Sequence, residues 1–239
     1  MRELPYWQAL QEALRTEMQR DPSVFLMGED IGEYGGAFGV TRGMLAEFGP
    51  ERVRCTPISE ATIVGAATGA ALTGMRPVVE IMFMDFLTLA MDQLANHAAK
   101  FRYMYGPQAC VPLVVRTPAG GGRCYGATHS QSLEAWFLHV PGLKVIAPAT
   151  PADAFGLLSA AIRDDNPVLC VEHKLLYAGT GEVPDAGEPV EIGRAAVRRA
   201  GRDVTLVTYS YYVGVALQAA EQLAADGIDA EVLDLRTLV

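Results

Sequence analysis

The sequence has few cysteines and no long apolar run, and both shortages exclude classes of protein. Its 4 cysteines lie far apart without CxxC spacing, which argues against a zinc site and against a disulfide scaffold. No stretch of about 18 apolar residues is present, so no membrane-spanning helix is predicted. The first twenty residues have the pattern of an amphipathic helix rather than of a signal peptide. We therefore expect a cytoplasmic protein.

Basic residues are also in short supply. The chain has 19 Lys and Arg against 28 Asp and Glu, a formal net charge of -9. Phosphate backbones are bound by a concentrated basic face, so this balance argues against a nucleic-acid partner. Hydrophobic residues make up 50% of the 239 positions, which is enough to bury a substantial core. We expect an acidic globular protein with no nucleic-acid or membrane partner.

Several catalytic and nucleotide-binding signatures are missing as well. There is no GxGxxG that opens a helix after a strand, no GxxxxGK[ST] and no GxSxG. The glycines at 120, 121, 122 and 126 instead form a flexible loop that leads to His129. A histidine in such a loop is accessible and titrates near neutral pH. It is equally compatible with a structural histidine that caps the next helix.

Short apolar runs alternate with helical patterns along the first three quarters of the chain. The runs predict strands at 24–30, 76–83, 111–118, 143–148 and 167–173, and the helical patterns cover 6–20, 61–73, 86–105 and 152–163. This alternation is typical of an α/β fold with a doubly wound parallel sheet. Functional residues in such folds collect after the carboxyl ends of strands, here after 30, 83, 118 and 173.

The predicted fold divides the chain into three parts. Residues 1–177 form the α/β domain, and residues 178–203 form a Gly- and Pro-rich linker with one strand or hairpin. Residues 204–239 predict one strand–helix–strand unit, with its helix at 213–225. A single unit cannot cover both faces of its own sheet. We therefore expect either that the second domain is truncated, or that it packs on residues 1–175 or on another polypeptide.

The segment TPISEA at 56–61 places Glu60 between a turn limited by proline and a helix rich in Gly and Ala. A carboxylate in such close packing must be paired, bind a polar group or shift its pKa. Position alone also fits a glutamate favoured by the helix dipole. Phe86 follows a predicted strand, where its ring face is available to a flat heterocycle, although packing in the core explains most such residues.

Several motifs together resemble one family. The order and spacing of seven motifs resemble those of the beta subunit of the thiamine-diphosphate-dependent decarboxylase, the first component of 2-oxo acid dehydrogenase complexes. These motifs are TPISEA, EIMFMDFLTLAMDQLANHAAKFRYMYG, RTPAGGG, THSQS, PGLKVIAPATPADA, AIRDDNPV and CVEHKLLY. The resemblance covers nearly the whole chain. It implies a pyrimidine-binding α/β domain followed by a transketolase-type C-terminal domain, which here ends after DLRTLV.

The resemblance implies roles for individual residues. Glu60 corresponds to the glutamate placed against the ring nitrogen of the cofactor's aminopyrimidine, with which it shares a proton. Met84 and Phe86 lie in the segment that contacts the pyrimidine, and Phe86 corresponds to the stacking aromatic residue. His129 corresponds to the histidine that assists proton transfer and the passage of the acyl group to a lipoyl arm. Four positions correspond to ligands of a structural potassium ion, mainly through backbone oxygens: Leu113, Ala161, Asp164 and Asn166.

One motif of the cofactor family is absent, and its absence predicts a partner. Thiamine-diphosphate enzymes hold the diphosphate through magnesium with a GDG segment, and this chain contains none. The resemblance therefore implies that an alpha subunit supplies the diphosphate site and the magnesium, in an α2β2 heterotetramer. It also implies a lipoyl acyltransferase component as the acceptor of the acyl group.

The resemblance implies a small 2-oxo acid or acetoin as the substrate, because the motifs are most similar to pyruvate and acetoin dehydrogenase beta subunits. Arg123 lies near the predicted active-site loop. One interpretation is that it contacts a substrate carboxylate or the partner subunit, and the other is that it is an ordinary solvent-exposed arginine of a loop. Beside it, Cys124 is a candidate for a lowered thiol pKa or a structural residue. Two alternatives remain open for the whole chain: a fragment of a single-chain transketolase relative, and a non-catalytic scaffold subunit.

Overall fold

The computed structural model describes residues 1–185 and 187–239. Ala186, inside the predicted linker, lies outside the described residues. The first domain is built on a six-stranded parallel sheet in the order β3-β2-β4-β5-β7-β6. Its strands are β2 (Val24–Gly28), β3 (Val53–Cys55), β4 (Arg76–Glu80), β5 (Val114–Ala119), β6 (Lys144–Ile146) and β7 (Val168–His173). The predicted α/β fold with a parallel sheet is confirmed.

Helices cover both faces of this sheet. Adjacent residues of one strand, such as Val78 and Val79, belong to different hydrophobic clusters, because successive side chains point to opposite faces. On one face lie α1 (Tyr6–Arg20) and α7 (Pro151–Arg163), and on the other lies α3 (Glu60–Leu72). The shorter α2 (Met44–Phe48) and α6 (Glu134–Leu138) fill the connections. None of the helices in the described part of the chain is long and apolar enough to cross a membrane.

The single helix predicted over 86–105 is wrong. The segment divides into α4 (Met84–Leu87), a 3-10 turn (Thr88–Ala90), a π-helical turn (Gln93–Ala98) and α5 (Phe101–Tyr105). The Ala99 N–H donates to the Leu94 carbonyl at 3.0 Å, five residues back, which widens the helix at this point. None of the residues of α5 is buried. The segment therefore leaves the core after Phe101, which is only partly buried, and apolar periodicity alone does not predict this break.

The first domain contains short strands that the sequence did not predict. β1 (Arg2–Pro5) pairs antiparallel with β8 (Thr180–Val183), and β3 is a strand of three residues. The predicted linker contains β8 and also β9 (Ala196–Arg199), and these strands belong to different sheets. The prediction of one strand or a hairpin in the linker is therefore wrong. Strands this short carry too little alternation of apolar and polar residues to be recognised.

The C-terminal part forms a second, smaller sheet. β10 (Val204–Thr208) and β11 (Ala230–Asp234) pair in parallel across α8 (Tyr212–Ala225), as predicted, and β9 adds an antiparallel strand beside β11. This sheet rests on the first domain. Asp153 at the start of α7 is buried and forms ion pairs with Arg198 and, at 2.8 Å, with Arg236. The Leu238 N–H also donates to the Val145 carbonyl at 2.8 Å.

Candidate active site

Four side chains follow four neighbouring parallel strands. Glu60 comes after β3, Glu29 after β2, Phe86 after β4 and His129 after β5. Because these strands are adjacent and parallel, their carboxyl ends meet at one edge of the sheet. The fold thus brings two acidic side chains and two rings to a common edge.

Glu60 is the first residue of α3, and its side chain is only 6% exposed. The first turn of a helix has free N–H groups and a positive dipole end, which favour a carboxylate there. α3 carries Gly65 against the Gln93 side chain, where an added Cβ would lie in ordinary contact at 3.4 Å. Gly69 is exposed, and an added Cβ there would meet nothing within 4 Å. The close packing expected for this helix is therefore not observed at Gly65 or Gly69, and it is the low exposure of Glu60 itself that limits the access of water.

Glu29 is a second buried acid that the sequence interpretation missed. Its side chain is 8% exposed, and Oε1 has no hydrogen-bond partner in the described part of the chain. Burial raises the pKa of Glu29, and the charges of Glu60 and Asp30 raise it further. Glu29 therefore retains a proton more readily than a carboxyl group in water. Its sequence signal was weak: an acidic residue near the end of the predicted strand at 24–30.

The rings of Phe83, Phe86 and His129 form one cluster. The His129 imidazole lies 5.0 Å from the Phe86 ring centroid at 84° and 5.0 Å from the Phe83 ring at 77°, both edge-to-face. Phe86 and His129 are each partly buried. Edge-to-face contacts fix the orientation of such rings and contribute about 0.5–1.5 kcal/mol each. The imidazole is thus oriented by aromatic packing while part of it faces solvent.

Met84 and Asp85 occupy the turn between β4 and Phe86. Met84 is fully buried, and its sulfur accepts a hydrogen bond from the Leu133 N–H at 3.3 Å. One oxygen of Asp85 accepts from both the backbone N–H and the side-chain amide of Gln131, at 3.2 and 2.8 Å. This turn therefore anchors the chain that follows His129. The contact of Met84 with a cofactor stays a prediction.

The loop between β5 and His129 carries the two residues whose roles were left open. Cys124 is exposed and has a positive φ of 58°. Arg123 donates a hydrogen bond to the Lys174 carbonyl at 3.1 Å. Arg123 is therefore held to the end of β7, and is not an entirely solvated arginine.

The four predicted potassium positions lie around the end of α7 and the start of β7. The Asp164 N–H donates to the Ala161 carbonyl at 3.2 Å, and the Asn166 amide groups donate to the Asp164 carboxylate. The Leu113 carbonyl accepts the Val168 N–H at 2.9 Å. The Arg76 guanidinium donates to the Asp164 carbonyl at 3.0 Å, so one of the predicted oxygen ligands already contacts a cation.

A pocket of about 280 Å³ lies beside Asn166 and is lined also by Ala98, Arg102 and Tyr103. It contains none of the residues at the carboxyl edge of the sheet. This pocket is therefore separate from the candidate site, which lies at the carboxyl ends of the strands.

His173, the last residue of β7, lies between the two domains. Its ring stacks on Tyr211 with centroids 4.9 Å apart, and its Nδ1 accepts the Leu175 N–H at 3.2 Å. Burial lowers the pKa of His173 to about 4, and the charge of Lys174 contributes to the shift. The accepted hydrogen bond requires an unprotonated Nδ1, in agreement with this direction. The neutral ring is thus the form that the folded protein stabilises.

This shift predicts a loss of stability in acid. The unfolded chain binds a proton at His173 below pH 6.5, whereas the folded chain binds it only near pH 4. The free energy of unfolding should therefore fall as the pH drops from 6.5 towards 4. Urea unfolding at pH 7 and pH 5 should show a smaller fall in the free energy of unfolding for His173→Gln than for the unchanged chain. His139→Gln, at an exposed histidine, is the control and should keep the original fall. Equal falls in all three chains would contradict the prediction.

Comparison with known families agrees with this geometry. Residues 2–180 match the family model described as "Transketolase, pyrimidine binding domain", and residues 193–239 match "Transketolase, C-terminal domain". A solved structure titled "Split gene transketolase, inactive beta4 tetramer" has a TM-score of 0.80 at 26% identity, over 98% of this chain and 72% of that one. The fold and the edge of the sheet thus define the pyrimidine-binding chain of a transketolase-like protein.

Relatives found by sequence identify the class of transketolase-like protein more closely. The chain is 50% identical to the beta subunit of acetoin:2,6-dichlorophenolindophenol oxidoreductase from Cupriavidus necator, over 96% of this chain and 71% of that protein. It is 50% identical to pyruvate dehydrogenase E1 component subunit beta-2 of Oryza sativa, over 99% and 64%. It is 49% identical to 2-oxoisovalerate dehydrogenase subunit beta of Bacillus subtilis, over 98% and 72%.

The chain belongs to the transketolase-like family of 2-oxo acid dehydrogenase E1 beta subunits, as the motifs of the sequence indicated. Family membership implies dependence on thiamine diphosphate. The beta-subunit names also imply partnership with an alpha subunit. The chain spans about two thirds of the length of the relatives, from 64% to 72%.

Proposed function

We propose that this chain forms the pyrimidine-binding half of a shared active site, in an enzyme that oxidatively decarboxylates a small 2-oxo acid and transfers the acyl group to a lipoyl arm. The observation that carries the proposal is the placement of Glu60, Phe86 and His129 after three of four neighbouring strands. Ligands of open α/β sheets bind at this edge. The family of the chain supplies the class of reaction.

The residues at the edge fit the pyrimidine end of thiamine diphosphate. A ring nitrogen is a proper partner for the carboxyl group of Glu60, which is buried and so needs a polar contact. The ring of Phe86 is partly exposed and can stack on a flat heterocycle. When bound, thiamine diphosphate would supply a thiazolium carbon that, after losing its proton, can add to the carbonyl of a 2-oxo acid.

In this proposal each side chain has a separate task. Glu60 holds a proton at its carboxyl group against the pyrimidine nitrogen, and the buried surroundings keep competing water away. Glu29, whose pKa is raised, limits the negative charge beside Glu60. His129 moves a proton at its imidazole while the acyl group passes to the lipoyl arm. The lipoyl disulfide accepts both the acyl group and two electrons.

The alpha subunit is proposed to hold the diphosphate and magnesium, in an α2β2 heterotetramer. The sequence of this chain has no GDG segment, and its relatives are named as beta subunits. α5 offers a surface for the packing of subunits, because Tyr103 is 91% exposed and Met104 and Tyr105 are exposed beside it. The acyltransferase component is the proposed acceptor of the acyl group. The cytoplasmic location expected from the sequence stays a prediction.

The proposed substrate is pyruvate, with acetoin as the second candidate. Both are small, and the relatives include subunits of both pyruvate and acetoin enzymes. We also retain the proposal of a potassium ion at Leu113, Ala161, Asp164 and Asn166. It requires the ion to share the Asp164 carbonyl with Arg76 or to displace its guanidinium.

The proposal is tested by turnover of the chain co-purified with its candidate alpha subunit. Pyruvate, acetoin and branched 2-oxo acids are each supplied with an artificial electron acceptor. We expect turnover only when both chains, thiamine diphosphate and magnesium are present, with pyruvate or acetoin as the best substrate. Repeating the assay with potassium replaced by choline tests the potassium site.

Two results would contradict the proposal. No turnover from a correctly assembled complex loaded with cofactor would favour a scaffold subunit. Tight magnesium-dependent binding of thiamine diphosphate by this chain alone would contradict the shared site, and would favour a fragment of a single-chain relative.

A further inference from the structure

The loop at 120–131 connects β5 to His129, and most of its residues are exposed, although the Tyr125 ring meets the Phe83 ring edge-to-face at 6.1 Å. It leaves β5 at Gly120 and returns at Gln131, where the Gly120 N–H donates to the Gln131 carbonyl at 3.0 Å. Between these points, residues 122–128 are all exposed. The His129 N–H donates to the Gly126 carbonyl over 3.4 Å, which is a long hydrogen bond. The position of His129 therefore depends on contacts at the base of the loop.

A buried lysine lies at this base. Lys174 follows β7 and is 0% exposed, which is rare for a lysine. Its ammonium group donates to the Gly120 carbonyl at 2.9 Å and to the His129 carbonyl at 2.7 Å. It also lies 5.1 Å above the centre of the Phe83 ring. The ammonium thus joins the two sides of the loop and contacts the aromatic cluster that holds the imidazole.

The main chain of Lys174 strengthens the same connection. Its N–H donates to the Ala119 carbonyl at 3.1 Å, and its carbonyl accepts from Arg123. Asp85 anchors the neighbouring Gln131 and raises the pKa of Lys174, against the larger lowering caused by burial. Gly120 also has a positive φ of 85°, and a Cβ there would overlap the His173 ring. The backbone at the base of the loop is therefore held by close packing and by hydrogen bonds around Lys174.

A buried ammonium is costly unless its hydrogen bonds are made. Here two of its three donors go to carbonyls that lie nine residues apart, on either side of the loop. A salt bridge or an apolar contact would not join these carbonyls, because both are acceptors. The chemistry of this position thus requires a long side chain with several donors.

We propose that Lys174 is a positioning residue: its ammonium group clamps the base of the 120–131 loop and so holds the His129 imidazole against Phe83 and Phe86. This inference rests on the proposed function for the role of His129 in acyl transfer. The clamp itself is a property of the chain and can be measured without turnover.

The test compares Lys174→Met, Lys174→Arg and Lys100→Met with the unchanged chain. Lys100 also donates to a backbone carbonyl, that of Pro141, at 2.6 Å, but lies away from the loop. Hydrogen–deuterium exchange measures the backbone amides of 120–131 in the full chain. In the complex with the alpha subunit, two reactions are compared: reductive acylation of a lipoyl domain, and decarboxylation with an artificial electron acceptor.

For Lys174→Met we expect exchange in the loop to be at least about tenfold faster, and kcat for lipoyl acylation to fall about ten- to a hundredfold, the scale for misplaced groups. The affinity for thiamine diphosphate and the KM for the 2-oxo acid should change less than about twofold, because Glu60 and Phe86 are held by other strands. Lys174→Arg should partly restore both the slow exchange of the loop and the kcat for lipoyl acylation. Lys100→Met should match the unchanged chain in both measurements. If Lys174→Met does not fold, Lys174→Gln replaces it with the same expectations.

Unchanged exchange in a folded Lys174→Met chain would overturn the clamp. Faster exchange with unaltered lipoyl acylation would overturn its link to His129. If even the unchanged complex lacks turnover, the proposed function fails, whereas the exchange measurement still decides on the clamp.

Discussion

Glu60→Gln is expected to lower turnover of the assembled enzyme by at least about a hundredfold, the scale of general acid–base catalysis. Gln has the shape of Glu and can accept a hydrogen bond, but it cannot share a proton with a ring nitrogen. Because Glu60 begins α3 and is buried, the substitution removes a charge without removing packing. The measurement is kcat with saturating 2-oxo acid, thiamine diphosphate and magnesium.

The control is Glu51→Gln, at a side chain that is 89% exposed, and it should keep full turnover. Assembly with the alpha subunit, measured by analytical ultracentrifugation, should be the same for both variants. Stability should not fall in Glu60→Gln, since the pKa of its neighbour Glu29 is raised in part by the Glu60 charge. Full turnover of a correctly assembled Glu60→Gln complex would show that Glu60 has no catalytic role.

The parts of the fold that the sequence predicted are those with strong local signals. The central strands have apolar side chains on both faces, as in β4 and β5, and such runs are readable without knowledge of their neighbours. The break between Ala99 and α5 was not readable, because Phe101, Met104 and Tyr105 continue an apolar pattern while none of them is buried. Periodicity describes which residues are apolar, whereas burial depends on what the rest of the chain places opposite them.

The candidate site likewise contains residues that the sequence predicted and residues that it did not. Phe86 and His129 follow strands that the sequence predicted, whereas β3, the strand before Glu60, was not predicted. The roles of these three residues stay predictions. Glu29 and Lys174 were missed because a charged residue normally indicates solvent. Distant parts of the chain set the environments of both side chains: burial and then the charge of Glu60 raise the pKa of Glu29, and the carbonyls of Gly120 and His129 accept hydrogen bonds from Lys174. Contacts between residues thirty or more positions apart leave no periodic trace in the sequence.

A buried network of charged side chains on one face of the central sheet is the basis of the second prediction with a large expected effect. Arg116 is 2% exposed and donates to Glu172 at 2.7 and 2.9 Å and to Glu80 at 2.8 Å. The Tyr177 hydroxyl donates to Glu172 at 2.6 Å. Burial opposes the charged form of Arg116, but the two carboxylates outweigh it and raise its pKa. Burial also raises the pKa of Glu80, while Arg116 counteracts this. One guanidinium therefore compensates two buried acids.

Arg116→Met is expected to lower the free energy of unfolding by about 3–5 kcal/mol, the usual effect of removing one partner from a buried ion pair. Without the cation, the pKa of Glu80, which burial already raises, rises further above its unfolded value. A group with a raised folded pKa loses stability as the pH increases, so the destabilisation should be larger at pH 8 than at pH 5. Urea unfolding at the two pH values measures both effects.

Two further variants separate the loss of the cation from the loss of side-chain volume. Arg194→Met removes an exposed pair with Glu191 and should cost at most about 1 kcal/mol. Adding Glu80→Gln and Glu172→Gln to Arg116→Met should recover part of the stability and abolish its extra pH dependence, because no uncompensated carboxylate remains. A loss of stability in Arg116→Met that is the same at pH 5 and pH 8 would mean that packing, and not charge, is the function of Arg116. In that case the amide substitutions would add to the damage, since each would exchange a carboxylate acceptor for a group that also needs an acceptor in a closed core.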